Sequence, residues 1–271
     1  MTLKQAYNYC ADALRERGID EAEFKALCIV CSSADIKNGE YAFHINDTVD
    51  SRSVKEMFER LLSGEPLQYV IGKWDFFESE FYVGKGVLIP RPETEELVEL
   101  ALKRCAAFTN PVILDLCAGS GCIGLSIAKK LDCTVYLVEK SNEAFKYLER
   151  NSKSIKNAIT VKADITINTD LPDADIIISN PPYVRSSELK SLQSDVLREP
   201  EVALDGGPDG LYFYREINRL WLNKLKKNGL LLLEIGNEQG SDVLDIFSSL
   251  EDKEIIKDIY GNDRIFSAVK R

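Results

Sequence analysis

Imidazole is almost missing from this chain: its 271 residues include one histidine, His44, in the first third and far from every motif described below. Chemistry here must therefore do without a histidine base or histidine metal ligands. Long apolar runs are also missing. No window reaches the length needed to cross a bilayer, and Met1-Thr2-Leu3-Lys4-Gln5 lacks the apolar stretch of a signal peptide, so a cytoplasmic location and no membrane partner are expected. A disulfide framework is excluded, because the seven cysteines are odd in number and scattered through helical and strand patterns. Cys28 and Cys31 form a CxxC, but inside the apolar run Leu27-Cys28-Ile29-Val30-Cys31, without a second CxxC or a nearby histidine. They read as small buried hydrophobes, and zinc is not expected. Positive charge is in deficit as well. With 34 Lys and Arg against 44 Asp and Glu, the net charge of -10 argues against a protein that holds naked nucleic acid by its phosphates. No internal repeat or low-complexity tract is present.

What is there suits one large domain and one small one. Up to residue 73 the chain carries helix punctuation: Thr2 with Gln5 and Asp20 with Glu23 have capping-box spacing, Gly18 and Gly64 sit where helices stop, and Val54, Phe58, Leu61 and Leu62 share a helical face. Residues 1–73 are thus expected to form a helical bundle. Aromatics among glycines at residues 74–88 predict a linking hairpin. Residues 89–271 alternate. Strands are predicted at 112–116, 134–138, 159–162, 175–179 and 230–235. Helices are predicted at 93–106, 122–131, 142–151, 212–225 and 240–250. A final hairpin, 255–260 with 264–269, adds an antiparallel strand at or near the sheet edge. The fold class is α/β, a doubly wound, mostly parallel seven-stranded sheet with a small N-terminal helical domain.

Two motifs stand at the ends of predicted strands. After the apolar strand 112–116, with Asp115 near its end, Cys117-Ala118-Gly119-Ser120-Gly121 forms a glycine turn opening a helix, where free N–H groups meet a ligand. Glu139, 20 residues beyond Gly119 at the end of the next strand, is placed to accept two ribose hydroxyls. A nucleoside-bearing cofactor follows. Gly119-x-Gly121-x-x-Gly124 also satisfies the dinucleotide fingerprint, so a nicotinamide oxidoreductase competes. Asp115 suits the cationic methionine end of S-adenosylmethionine better than a pyrophosphate, and no hydride-transfer acid or base follows; the methyl donor is preferred. Asp164, with Ile165 beside it, is placed to accept from the adenine amino group, or else is an exposed loop aspartate.

The second motif is Asn180-Pro181-Pro182-Tyr183, after the buried strand 175–179. A planar NH2 group fits it: the Asn180 carboxamide oxygen and a main-chain carbonyl of the Pro-Pro turn accept its two hydrogens, and the Tyr183 ring packs on its plane. These four residues are the candidates for catalysis and substrate binding, and Asn180 is also a candidate to touch the cofactor. Arg91, Thr94 and Glu95 are candidates for the cofactor mouth. The long segment between Val184 and Leu211 suits a substrate element, with Arg198 and Glu199 as candidate contacts to a protein substrate.

With Asp115-x-x-x-Gly119-x-Gly121, Glu139 and Asn180-Pro181-Pro182-Tyr183 on successive strands, the chain resembles the class I S-adenosylmethionine-dependent methyltransferases of planar nitrogens, with their Rossmann-like sheet. These modify adenine or glutamine. The runs Gly64-Glu65-Pro66-Leu67-Gln68-Tyr69-Val70-Ile71-Gly72 and Val87-Leu88-Ile89-Pro90-Arg91-Pro92-Glu93-Thr94-Glu95 are similar to the signature of the peptide chain release factor glutamine methyltransferases, as are Arg198-Glu199-Pro200 to Asp209-Gly210 and Glu234-Ile235-Gly236 to Gln239. Cys117-Ala118 departs from the Gly-Thr pair often seen in that family. The resemblance implies a five-helix N-terminal domain that grips the release factor, methylation of the glutamine of a Gly-Gly-Gln loop, and release of S-adenosylhomocysteine. The residues alone reach a planar amino or amide nitrogen, and methylation of adenine in nucleic acid stays open as the alternative. A monomer without stable nucleic-acid binding is expected.

Overall fold

The computed structural model describes residues 1–193 and 195–271. It divides into two compact units, Met1–Lys73 and Trp74–Arg271.

The first unit holds helices α1 (Leu3–Glu16), α2 (Ala22–Ser33), α3 (Tyr41–His44), α4 (Ser51–Leu62) and α5 (Leu67–Ile71). In α1, Leu3, Ala6, Cys10, Ala11 and Leu14 form the buried stripe that a 3.6-residue period produces. Its start is a reciprocal capping box, with Gln5 N donating to Thr2 Oγ1 at 3.2 Å and Thr2 N to Gln5 Oε1 at 2.9 Å. The matching expectation for Asp20 and Glu23 fails. Glu21 precedes α2 in a left-handed conformation (φ 56°) and makes no side-chain cap, so the turn, not an Asp20 carboxylate, starts that helix. The Gly64-Glu65-Pro66 run has a local explanation. Arg60 pairs with Glu65 and donates to the carbonyls of Tyr69 (3.0 Å) and Val70 (3.1 Å), satisfying the C-terminal carbonyls of the short α5.

The second unit opens with the hairpin β1 (Lys73–Phe76) and β2 (Ser79–Tyr82). Its turn is not built on a glycine: Phe77 (φ 44°) and Glu78 (φ 57°) both take the left-handed region, as a two-residue hairpin loop of the primed type requires. The Glu95 carboxylate accepts from Phe77 N at 3.1 Å and holds that strained turn, so Glu95 does not line the cofactor mouth. After it come α6 (Pro92–Cys105), β3 (Val112–Leu116), α7 (Cys122–Lys130), β4 (Thr134–Glu139), α8 (Asn142–Ser152), β5 (Ala158–Lys162), β6 (Ala174–Ser179), α9 (Tyr212–Glu216), β7 (Leu225–Glu234), α10 (Gly240–Ile246), β8 (Glu251–Lys257) and β9 (Asp263–Val269). Helix α9 passes into a π-helical turn at Ile217–Trp221 and stops there, short of the predicted 225. Trp221 explains the stop, because its ring N–H donates to Ile165 O at 2.7 Å and ties this segment to the loop after β5. Among the described residues, segment 184–211 carries short 3-10 turns at Leu189–Ser191, Val196–Arg198 and Glu201–Ala203.

The seven strands are ordered β5-β4-β3-β6-β7-β9-β8, parallel from β5 to β7, with β9 antiparallel to both β7 and β8. The doubly wound expectation holds, with the terminal hairpin inserting β9 next to β7. Alternate residues feed two cores. Ile113, Val135, Leu137, Ile176, Ile178 and Leu232 pack with α6 and α7 on one face, while Leu114, Leu116, Val138, Ile177, Leu231 and Leu233 pack with Tyr214, Trp221 and Phe247 on the other. A strand buried on both faces reads as a continuous apolar run, and each such side chain contributes roughly 1.5–3 kcal/mol on burial. The chain winds outward from β3 to β5, then returns to β6 on the other side of β3. This reversal opens a crevice at the carboxyl ends of β3 and β6, where Leu116 pairs with Ser179.

Candidate active site

Both sequence motifs start one residue beyond that pair, at Cys117 and Asn180. Ser179 Oγ donates to Leu116 O at 2.5 Å and joins the two strand ends below them. The cleft above is lined by Cys117 to Ser120, Glu139 to Ser141, Asp164, Ile165, Asn180 and Pro182, roofed by Leu88, Pro90, Arg91 and Thr94, and closed by Val202, Ala203 and Phe213.

The β3 loop is shaped by main chain. Cys117 (φ 61°), Gly119 (φ 58°) and Gly121 (φ 83°) are all left-handed. Ala118 N donates to Val138 O at 2.9 Å and Gly121 N to Ala118 O at 2.7 Å. Gly119 lines the cleft, whereas Gly121 does not. A Cβ at Gly121 would stand 2.6 Å from Leu148 and 2.8 Å from Leu125, so this glycine serves the packing of α7 and its left-handed start.

Glu139 ends β4 with its carboxylate buried in the cleft wall. Oε2 accepts from Gly119 N at 2.8 Å and Oε1 from Ser141 N at 2.5 Å, which leaves each oxygen a second lone pair for a ribose hydroxyl. Burial pushes this carboxyl up, an effect those N–H donors partly offset. Asp115 lies behind the wall. It is fully buried, with Oδ2 accepting from Gly124 N at 2.9 Å, while no described residue bonds to Oδ1. Burial raises its carboxyl to about 7. It is not among the residues that line the cleft, where the sequence suggests contact with a cofactor, and it braces the β3 loop and the start of α7. Asp164 is not a free loop aspartate either. Thr166 donates to it from N (2.9 Å) and Oγ1 (2.8 Å), and Lys140 pairs with it at 2.8 Å. Burial pushes this carboxyl up, but these donors more than compensate and hold it below its ordinary range. Ile165 and Phe213 add apolar lining beside it.

On the β6 side, Asn180 Nδ2 donates to Thr94 Oγ1 at 3.3 Å, and Thr94 Oγ1 donates to the buried Glu234 Oε2 at 2.6 Å. Asn180 and Pro182 line this end of the cleft, and with Nδ2 spent on Thr94 the Asn180 Oδ1 is the end of the carboxamide left to accept. Tyr183 does not line the cleft: its hydroxyl reaches Glu234 Oε1 at 3.4 Å, its carbonyl accepts from Gln239 Nε2 at 3.0 Å, and burial pushes its phenol well above its ordinary range. Tyr183 thus braces the Pro-Pro turn through Glu234 and Gln239, and it is not among the residues that line the cleft where the sequence places its ring.

Arg198 is exposed and far less constrained than its neighbour. The buried Glu199 accepts from Ile89 N at 2.9 Å and pairs with Arg91, so it clamps segment 184–211 to the roof of the cleft and is not free to hold a protein substrate. Sequence reasoning missed Glu234, Gln239, Phe213, Val202 and Ala203. The matching Glu234-to-Gln239 run was the one available signal, but it could not show that its carboxylate points at position 94.

The residues present fit a cofactor with a ribose diol and a flat base: Glu139 keeps free lone pairs in the wall, and Ile165, Phe213 and Leu88 supply apolar lining. Residues 95–208 match the family model Methyltransferase small domain, and residues 5–72 match PrmC N-terminal domain. The release factor glutamine methyltransferase of Thermodesulfovibrio yellowstonii is 42% identical over 79% of this chain and 80% of its own length. That of Moorella thermoacetica is 31% identical over 100% of this chain and 99% of its own. Among solved structures, the 16S rRNA N2 G1207 methyltransferase of T. thermophilus, in complex with AdoMet and guanosine, shares the fold at 18% identity, with a TM-score of 0.54 over 73% of this chain and 50% of that one. Likeness to curated relatives across both units, joined to a cleft at the switch point of a doubly wound sheet, makes this chain a member of the release factor glutamine methyltransferases.

Proposed function

We propose that this chain transfers a methyl group from S-adenosylmethionine to the side-chain amide nitrogen of the glutamine in the Gly-Gly-Gln loop of peptide chain release factors. One observation carries the chemistry: Asn180 lines the cleft with its NH2 spent on Thr94, which leaves its oxygen to accept. With a main-chain carbonyl of the Pro-Pro turn as its second acceptor, this end of the cleft suits a flat NH2 group.

The cofactor supplies an electrophilic methyl group on a sulfonium. An amide nitrogen is a poor nucleophile because its lone pair is delocalised into the carbonyl. When Asn180 Oδ1 and the Pro181 carbonyl accept its two hydrogens, the pair localises on nitrogen and is aimed across the cleft. Transfer would form the N–C bond as the donor's S–C bond breaks, with the nitrogen's proton released to solvent afterwards. Positioning and electrostatic complementarity carry the rate, with no strong base needed before attack. Glu139 would hold the ribose, Asp164 and Ile165 would border the base, and Cys117 to Ser120 would form the floor. The chain works as a cytoplasmic monomer without stable nucleic-acid binding, and residues 1–73 recognise the release factor. That no helix among the described residues is long and apolar enough to cross a membrane fits this location.

The test is mass spectrometry of release factor peptides after incubation with the chain and S-adenosylmethionine. One methyl group on the glutamine of the Gly-Gly-Gln peptide is expected. Methylated adenine in a nucleic-acid substrate, with the release factor untouched, would overturn the substrate while keeping the reaction class.

A further inference from the structure

A carboxamide is nearly symmetric in shape, and the proposed chemistry works only with its oxygen turned to the substrate. Something must set that orientation. Glu234 ends β7, one residue past the Leu233 that pairs with Ser179, so it stands beside Asn180 across the sheet. Its carboxylate is 1% exposed, lies within the field of Arg264, and takes Thr94 Oγ1 at 2.6 Å and Tyr183 Oη at 3.4 Å. Thr94 is itself 2% exposed, in the first turn of α6.

Donor counting then decides the orientation. Burial pushes the Glu234 carboxyl up, an effect that the Thr94 hydroxyl, Arg264 and the Tyr183 hydroxyl partly offset; in its ionised form it only accepts, so the single proton of the Thr94 hydroxyl points to it. That hydroxyl has only lone pairs left for Asn180, and only the NH2 end of the carboxamide can use them. The orientation thus follows from the donor count of the network with Glu234 ionised. Resting on the reading above, we propose that Thr94 and Glu234 are positioning residues: acting through one another, they lock the Asn180 carboxamide with its oxygen toward the substrate nitrogen. The same carboxylate anchors Tyr183, so both ends of the tetrapeptide share one buried charge.

A double-mutant cycle on the full-length chain tests this, with the kcat and KM of release factor methylation, cofactor affinity by calorimetry, and thermal melting read together. Thr94→Val, nearly isosteric, is expected to lower kcat roughly 10- to 100-fold while cofactor affinity holds. Thr94→Ser, which keeps the hydroxyl, recovers most of that loss. Glu234→Gln keeps shape but can donate to Thr94, freeing the hydroxyl proton to turn Asn180 around, and kcat falls again. In an Asn180→Ala background Thr94→Val costs nothing further, because there is no carboxamide left to orient. A merely structural role predicts instead equal losses in both backgrounds, tracking the melting temperature. That outcome, or a Thr94→Val enzyme with unchanged kcat, overturns the relay and leaves the assigned reaction intact. A folded, cofactor-binding wild type that does not methylate glutamine sinks the reaction, and the relay with it.

Discussion

The two loops that meet at the switch point are held by opposite means. The β3 loop, Cys117 to Gly121, is fixed by its own backbone: three left-handed residues, short N–H contacts, and a carboxylate from the adjacent strand bonding to Gly119 N. The β6 loop, Asn180 to Tyr183, is fixed by side chains remote in sequence, with Thr94 lying 86 residues from Asn180, Glu234 51 from Tyr183, and Gln239 56 from Tyr183. The difference teaches how the fold divides its work. A cofactor common to many enzymes is met by main chain, which any sequence with the right glycines can supply. A particular acceptor nitrogen is met by one oriented amide, and orientation needs a network.

If that division is right, Asn180→Ala has the largest effect, a loss of roughly 10²–10³ in turnover with cofactor affinity retained, by analogy with removal of one preorganised polar group. Steady-state kinetics beside calorimetry check it. Abolished cofactor binding would show that the two loops are not separate devices. Glu139→Ala comes next, with the opposite signature: cofactor affinity falls by about 1.5–3 kcal/mol, the range for hydrogen bonds to a charged group, and turnover at saturating cofactor changes less. Gly121→Ala probes the main-chain side alone. The added Cβ meets Leu148 and Leu125 at a positive φ, so about 1–3 kcal/mol of stability is lost, read from the denaturation midpoint.

The last test is a slope. The Asp115 carboxyl is raised from 3.8 to about 7 by burial, so the folded state holds its proton more tightly than the unfolded chain does. The sign follows: this stabilisation is fully present below pH 3.8 and lost as pH rises through about 7. Asp115→Asn, whose amide oxygen can still accept from Gly124, is expected to flatten that decline in chemical denaturation between these limits. An unchanged slope would show that Asp115 ionises freely in the folded protein.

The difference between the loops also marks what was legible beforehand. Strand β3 ends where its apolar run ends, and Glu139 follows at the spacing of one βαβ unit, because both depend on contacts between chain neighbours or on a short crossover. Asn180 was legible for the same reason, at the end of a run buried on both faces. Glu199 was misread as substrate-facing because charge in a long loop suggests solvent; nothing near it in sequence reveals the N–H of Ile89, 110 residues away. Tyr183 was misread as an open platform, since its hydroxyl partner comes from another strand. The hairpin turn at Phe77 and Glu78 escaped because no glycine marks it and Glu95, 18 residues on, holds it. Asp20 had the spacing of a cap but not the backbone to use it.

By itself, then, the amino-acid order determined the doubly wound sheet, the place of the crevice and the residues that open each loop, since periodicity, glycine and strand ends act over a few residues. Only the tertiary structure decided which way those residues face. Thr94, Asn180 and Glu234 become one hydrogen-bonded chain through the packing of α6 and β7 around β6, and a donor finds its acceptor through space, at separations no local pattern encodes.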